Sequence, residues 1–366
     1  AVAFASFGAN IKLPPGNGPY CLRIHGQIYH RSGPLHPSTG AEPSFAQLYI
    51  IEGDQAVEKR LNAKENANCR RDIMILLDTV LKKMSPYAAA YKYMFEVEQE
   101  SQKVALENNL PPPTVTMYLK RGGDQRRYND PHHDEVAAIF VSSDGAPPSN
   151  RDIVVHPKDD GPRNISYLSC NCDPMIYPIF FPRGDAGWYP DIKHVAEKST
   201  PKRNRVTLLQ FYSYRLAERQ CFSPLFYGGK LFQQYVVDAY VKTEASRLDF
   251  IRKNQSNLRV ELYQGLMDHI HSQTSNPDLH PGKIVVLPST FQGSPRAMQQ
   301  NFQDAMSIVA KFGKPDIFLT FTCNPKCQDI LDCIPVGQKV EHRPDIVSRV
   351  FKLQLQELLL DITERH

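Results

Sequence analysis

Apolar positions change period several times along the 366-residue chain, and each change marks an element. Between residues 19 and 53, PYCLRIHGQIYH and FAQLYIIEG are rich in β-branched and aromatic residues and flank the turn-rich SGPLHPSTGAEP, which predicts strands. From Cys69 the period becomes helical: Ile73, Ile75, Leu76, Val80, Leu81 and Met84 fall at helical spacing. Ser85-Pro86 then opens a second helix, serine as cap and proline in the first turn, which continues to about Glu107. Three prolines at 111 to 113 end it, and TVTMYLK, EVAAIFV and RDIVVHP follow as three strand-like runs.

The text then changes character. YPIFFPRGDAGWYPDI, from Tyr177, is too punctuated for a helix and too apolar for a flexible linker, so it predicts an ordered, partly buried connection. Helices are expected over roughly 204 to 220 and from Lys230 to about His271. KIVVLP predicts a short strand, and Ser294-Pro295 opens a helix whose Met298, Phe302, Met306 and Val309 share one stripe before Gly313 stops it. PDIFLTFTCNP, residues 315 to 325, alternates so that Ile317, Leu319 and Phe321 share one side and Phe318, Thr320 and Thr322 the other. That predicts a strand with one apolar and one hydroxyl-bearing face, turned out of its sheet by Asn324-Pro325. Pro344 begins the last helix. The order is that of an α+β protein, with no internal repeat and no low-complexity tract.

Taken together, FLTFTCNP, the preceding PSTFQGSPRAMQQNFQDAMSIVAKFGKPDIF, YPIFFPRGDAGW, YCLRIHGQIYH, GGKLFQQYVVDAYVKTEASRLDFIR and the closing RPDIVSRVFKLQLQELL resemble the N-terminal helicase-like region of Helitron rolling-circle transposases. The resemblance implies three parts: an α+β accessory domain over 1–172, a proline- and aromatic-rich connector with a long helix over 173–280, and the start of an antiparallel-sheet nuclease fold over 281–366. In that reading Phe318, Leu319, Thr320, Phe321, Thr322, Asn324 and Pro325 form the first nuclease motif, an inner strand beside a metal site. Where the family commonly has tryptophan after the Asn-Pro-Lys turn, this chain has Cys327.

The chemistry of such nucleases needs a His-hydrophobe-His pair for Mg²⁺ or Mn²⁺ and a helix-borne tyrosine that attacks the phosphodiester. Both lie downstream of the first motif, so the chain is expected to be a piece of a longer transposase, without catalytic residues, metal ligands or cofactor of its own. His269-Ile270-His271 is upstream, in a helical context where residues two apart diverge by about 200°. Tyr87 and Tyr91 in YAAAY predict helix packing. Gly229-Lys230 and Gly282-Lys283 lack the flanking residues of a P-loop, leaving ATP to the intact parent. Of the eight cysteines, Cys323 and Cys327 alone have knuckle-like spacing, and free thiols are expected over zinc.

Net charge is +4, which permits a polyanionic partner without requiring one. Basic residues cluster at Lys120, Arg121, Arg126 and Arg127, at Lys202, Arg203 and Arg205, and along the long helix at Lys242, Arg247, Arg252, Lys253 and Arg259. Tyr128, Trp188, Tyr189, Phe211, Tyr212 and Tyr214 stand near them in sequence. Cations and stacking faces together are what single-stranded DNA requires. The expected partners are therefore single-stranded DNA and the rest of the transposase polypeptide, in the nucleus, with neither a membrane nor a small-molecule substrate. The alternative is a non-catalytic DNA- or protein-binding module from a decayed or domesticated element.

Overall fold

The computed structural model describes residues 2–12, 20–51, 53–111, 114–119, 137–142, 153–155, 162–195, 204–255, 285 and 287–364. The chain forms two compact units, one comprising 1–238 with 334–344 and the other 239–333 with 345–366.

In the first unit, β1 (Ser6–Ile11) pairs antiparallel with β2 (Ile24–Ser32), which also takes the two-residue β6 (Arg163–Asn164). Alternation along β2 turns His30 and Ser32 inward while Tyr29 and Arg31 face out, so the strand delivers polar groups to the interior. A second antiparallel sheet has β3 (Thr114–Leu119) between β4 (Ala137–Ser142) and β5 (Ile153–Val155), as expected from the three β-like runs. The helices of this half are α1 (Asp54–Asn62), α2 (Arg71–Met84) and α3 (Pro86–Glu107). Proline sits in the first turn of α3, where its missing N–H is not needed.

One expected strand is not a strand. Phe45–Tyr49 winds as a 3₁₀ turn that Ser44 and Gln47 close, the Ser44 N–H donating to Gln47 Oε1 at 2.9 Å and Gln47 N to Ser44 O at 3.1 Å. Its Tyr49 ring stacks on Phe4 at 4.3 Å and donates its hydroxyl to Val2 O at 2.6 Å. Arg60, entirely buried, lies over the Tyr49 ring, 4.6 Å from its centre, and pairs with Asp78 of α2 at 3.2 Å. Tyr87 and Tyr91 are packed inside as expected, with hydroxyls bonded to Asn171 Oδ1 (2.7 Å) and Ser32 Oγ (3.2 Å). Burial pushes both phenols up, Tyr91 to about 12, the opposite of what an activated nucleophile needs.

The proline- and aromatic-rich stretch is the centre of this unit. After α4 (Cys172–Ile176), Tyr177, Phe180 and Phe181 surround Tyr235 of α6 (Lys230–Lys253) at ring separations of 5.2, 5.9 and 5.8 Å. α5 (Leu208–Arg215) adds Tyr212 at 6.1 Å. Residues 334–344 return to the same unit: Gln338 Nε2 donates to Phe226 O at 3.1 Å, Arg343 covers the Phe226 ring at 4.8 Å, and the Glu341 carboxylate accepts from Tyr20 N at 3.2 Å.

The second unit contains the latter part of α6, then α7 (Pro295–Phe312), α8 (Gln328–Cys333) and α9 (Pro344–Glu364). Ser294 caps α7, its hydroxyl accepting from Ala297 N at 3.1 Å, and Gly313 ends it at φ 89. The α7 stripe is exposed, with Met298 at 62% and Phe302 at 65%. Residues 315–325 do not form the expected strand: among the described residues no neighbouring strand receives their backbone groups, and Phe318 stands 94% exposed. The Asn-Pro turn does form, with Cys327 N bonded to Asn324 O at 3.0 Å and Lys326 N to Asn324 Oδ1 at 3.0 Å. The KIVVLP strand and the second half of the expected long helix fall mostly outside the described residues.

Gly184 joins the aromatic stretch to α3. It sits at φ +73, and a Cβ there would lie 2.6 Å from Pro86 Cγ and 3.3 Å from the Tyr87 ring. Gly184→Ala is expected to destabilise the chain by about 2 kcal/mol or more, through left-handed strain and overpacking together, read as a lowered midpoint in chemical denaturation.

Candidate nucleic-acid interface

α5 begins at a true capping box: Gln210 N donates to Thr207 Oγ1 (3.2 Å) and Thr207 N to Gln210 Oε1 (2.9 Å). The helix is held from inside by Tyr212, whose buried hydroxyl donates to Asp173 Oδ1 at 3.1 Å. Two residues on, about 200° around the helix, Tyr214 faces solvent and is 69% exposed. Arg219 folds back over its ring at 4.0 Å from the centroid and donates to Tyr214 O at 2.6 Å, which fixes both planes. Arg215, half-buried, lies against Phe181 (4.5 Å) and Phe211 (4.9 Å) and donates to Ala186 O at 2.6 Å.

The 3₁₀ turn Pro224–Tyr227 sends Leu225 and Phe226 inward and leaves Tyr227 outside, stacked on Phe222 with ring centres 5.2 Å apart. Phe222 is 77% exposed. Exposed, mutually stacked aromatics lose little rotamer freedom when a further flat group is added.

Residues 211–366 match the family model described as the Helitron helicase-like domain at the N-terminus. This stretch is a Helitron helicase-like N-terminal region. A search of curated proteins found no match. The match begins inside α5, so Tyr214, Arg219, Phe222 and Tyr227 all lie in the Helitron-like region.

The cations expected from sequence are placed unevenly. Lys120, Arg121, Arg126, Arg127, Lys202 and Arg203 lie outside the described residues, as does Arg259. Arg205 is exposed and faces Lys193 across an isolated antiparallel bridge, just before α5; its contact with Asp191 is 3.6 Å between two solvated side chains. In the Helitron-like region, Arg247, Arg252 and Lys253 are exposed on α6, but at five- and six-residue offsets from Arg247 the other two project to different sides. Arg252 is also engaged by Asp249 at 3.3 Å. Lys242, at 2% exposure, is not available to a phosphate. Sequence reasoning missed Lys193, Arg215, Arg219, Phe222 and Tyr227; the signal was FYSYRLAERQCF, which interleaves arginines with aromatics.

Of the first-motif residues, Phe318, Leu319, Thr320, Phe321 and Thr322 are exposed, and Phe321 stacks on Phe351 of α9 at 5.3 Å. Asn324 and Pro325 make the turn described above. Among the described residues no three His, Cys, Asp or Glu side chains come together as a metal-holding set. The donor set for Mg²⁺ or Mn²⁺ is therefore not found there.

The first unit also holds a buried polar network. His30 Nε2 is 2.9 Å from Asp238 Oδ1, and Tyr177 donates to Asp238 Oδ2 at 3.1 Å. Burial, the largest influence, pulls the His30 imidazole down, but Cys172 and the Asp238 carboxylate outweigh it and lift it to about 9. A histidine raised above its unfolded value of 6.5 contributes stability that is whole below that pH and is lost as pH climbs through about 9. Denaturation midpoints measured from pH 6 to 10 are expected to fall on the alkaline side by on the order of 3 kcal/mol of stability, and His30→Gln should flatten that part of the profile.

Proposed function

We propose that this chain is the N-terminal, DNA-engaging part of a Helitron-type rolling-circle transposase, and that its surface from Tyr214 to Tyr227 holds single-stranded DNA. The observation that carries the reading is the ordered alternation of exposed rings and guanidinium groups inside the family-matched stretch. Flat rings stack on bases without regard to sequence, and cations neutralise phosphates and release counterions. Arg205 and Lys193 extend the positive charge on the approach to α5. Double-stranded DNA offers no unstacked base faces, so a surface of this kind favours a single strand.

The intact parent would nick one strand through a tyrosine with a divalent metal ion and unwind duplex with ATP, in the nucleus. This segment would hold the strand, and the chemistry would fall to residues other than those described. No helix among the described residues is long and apolar enough to cross a membrane.

Fluorescence anisotropy of labelled (dT)₂₀ against the full chain tests the reading. Affinity is expected to fall steeply between low and moderate salt, with duplex of equal length binding more weakly. Phe222→Ala and Tyr227→Ala should each weaken binding by about 1–3 kcal/mol, and Arg205→Ala should reduce the log–log salt slope by about 0.7. Binding that ignores both salt and Phe222, or no binding at low salt, would remove the reading.

A further inference from the structure

The first unit holds an open cavity of about 640 Å³ that the surface described above does not use. Its size and mainly apolar walls fall within the range of small-ligand sites. Phe7 of β1, Phe45 and Leu48 of the 3₁₀ turn, and Ile179 of the aromatic stretch line it. Phe45 is the unusual member. Its backbone sits at φ 49, a left-handed conformation that a bulky residue rarely adopts, and its ring remains 42% exposed. Ser44 and Gln47 hold it there, with Gln47 Nε2 anchored in turn to Pro34 O at 3.0 Å.

The polar residues on the same walls include Lys59, Arg60, Glu65, Asn66 and Gln234. Asn66 spends one amide N–H on Arg60 O at 2.7 Å, which leaves its carbonyl oxygen and its second N–H able to meet a ligand. The Glu65 carboxylate, which can only accept, lines the same cavity as Phe45. Lys59 is held by Glu42 at 2.5 Å, but the Glu42 side chain is 83% exposed, so that pair is a weak tether and the ammonium can be re-aimed at little cost.

From this juxtaposition we infer that the cavity takes one unstacked nucleotide of a single strand, with an adenine or cytosine base against Phe45 and its phosphate on Lys59. The inference rests on the single-strand reading above. Acceptors at Glu65 and Asn66 match the exocyclic amino groups of adenine and cytosine, whereas thymine presents a carbonyl at that position. An aliphatic peptide anchor would fill the apolar part but would leave the carboxylate and amide edge facing hydrocarbon.

The test titrates dAMP and dTMP into the full chain by saturation-transfer NMR, beside (dT)₂₀ anisotropy on the same preparations. dAMP is expected to bind at least fivefold more tightly than dTMP. Lys59→Ala and Ala63→Trp should each weaken dAMP at least fivefold while (dT)₂₀ affinity changes less than twofold. Lys59 is at the rim, so its variant is expected to fold even if the tryptophan variant does not, and circular dichroism checks both. If (dT)₂₀ binds in the manner expected of Phe222 and Tyr227 but dAMP does not bind, or binds no better than dTMP, the cavity assignment alone is overturned. If neither probe binds, both readings fall. An apolar dye that fills the cavity and is not displaced by dAMP would also overturn the assignment, in favour of a peptide side chain.

Discussion

Two buried carboxylates, Asp173 and Asp238, organise the first unit. Each is at 1% exposure or less, where an unpartnered charge would be prohibitively costly. The fold answers with donors from distant parts of the chain. Asp173 receives the hydroxyls of Tyr212 (3.1 Å) and Tyr235 (3.4 Å), and Asp238 receives Tyr177 and His30. One strand, the aromatic stretch and two helices are thereby tied to a pair of side chains. Because the interior donors are tyrosines, the same contacts satisfy the charge and fill the core with rings.

That arrangement explains why the outer surface is ordered. With Tyr212 pinned inside, the geometry of a helix leaves Tyr214 no inward option, and Arg219 is close enough in the chain to close over it. The 3₁₀ turn after it repeats the logic: Leu225 and Phe226 are taken by the core, and Tyr227 remains outside for Phe222 to stack upon. A surface of exposed rings would ordinarily be a liability. Here it is supported by residues with no freedom to move, and that is the condition for a pre-formed binding face.

Much of this was legible before any coordinates. Helix starts at Pro86 and Pro295 followed from Ser-Pro pairs, and the start at Pro344 from its proline alone, which are local signals. The strands β3, β4 and β5 followed from the composition of three runs, while their antiparallel pairing is a finding of the structure. The failures have a common cause. FAQLY has strand-like composition, yet one serine and one glutamine at the right offset convert it to a turn. FLTFT has strand-like alternation, but a strand exists only with a neighbour, and alternation does not say whether the neighbour is present. At the candidate interface, charge was legible and ring placement was not: Arg205 was singled out, whereas Arg219, Phe222 and Tyr227 depend on which aromatic the core claims first. Lys242 shows the converse, a cation counted as surface that packing had taken inside.

The return of residues 334–344 to the first unit, between helices of the second, bears on how the protein is made. As the polypeptide leaves the ribosome, the early unit stays incomplete until Arg343 has emerged to cover Phe226 and meet Glu218 at 3.7 Å. By then all of the intervening residues 239–333 have been synthesised. The two units are thus laced rather than strung in series, and no single backbone cut can release one of them whole.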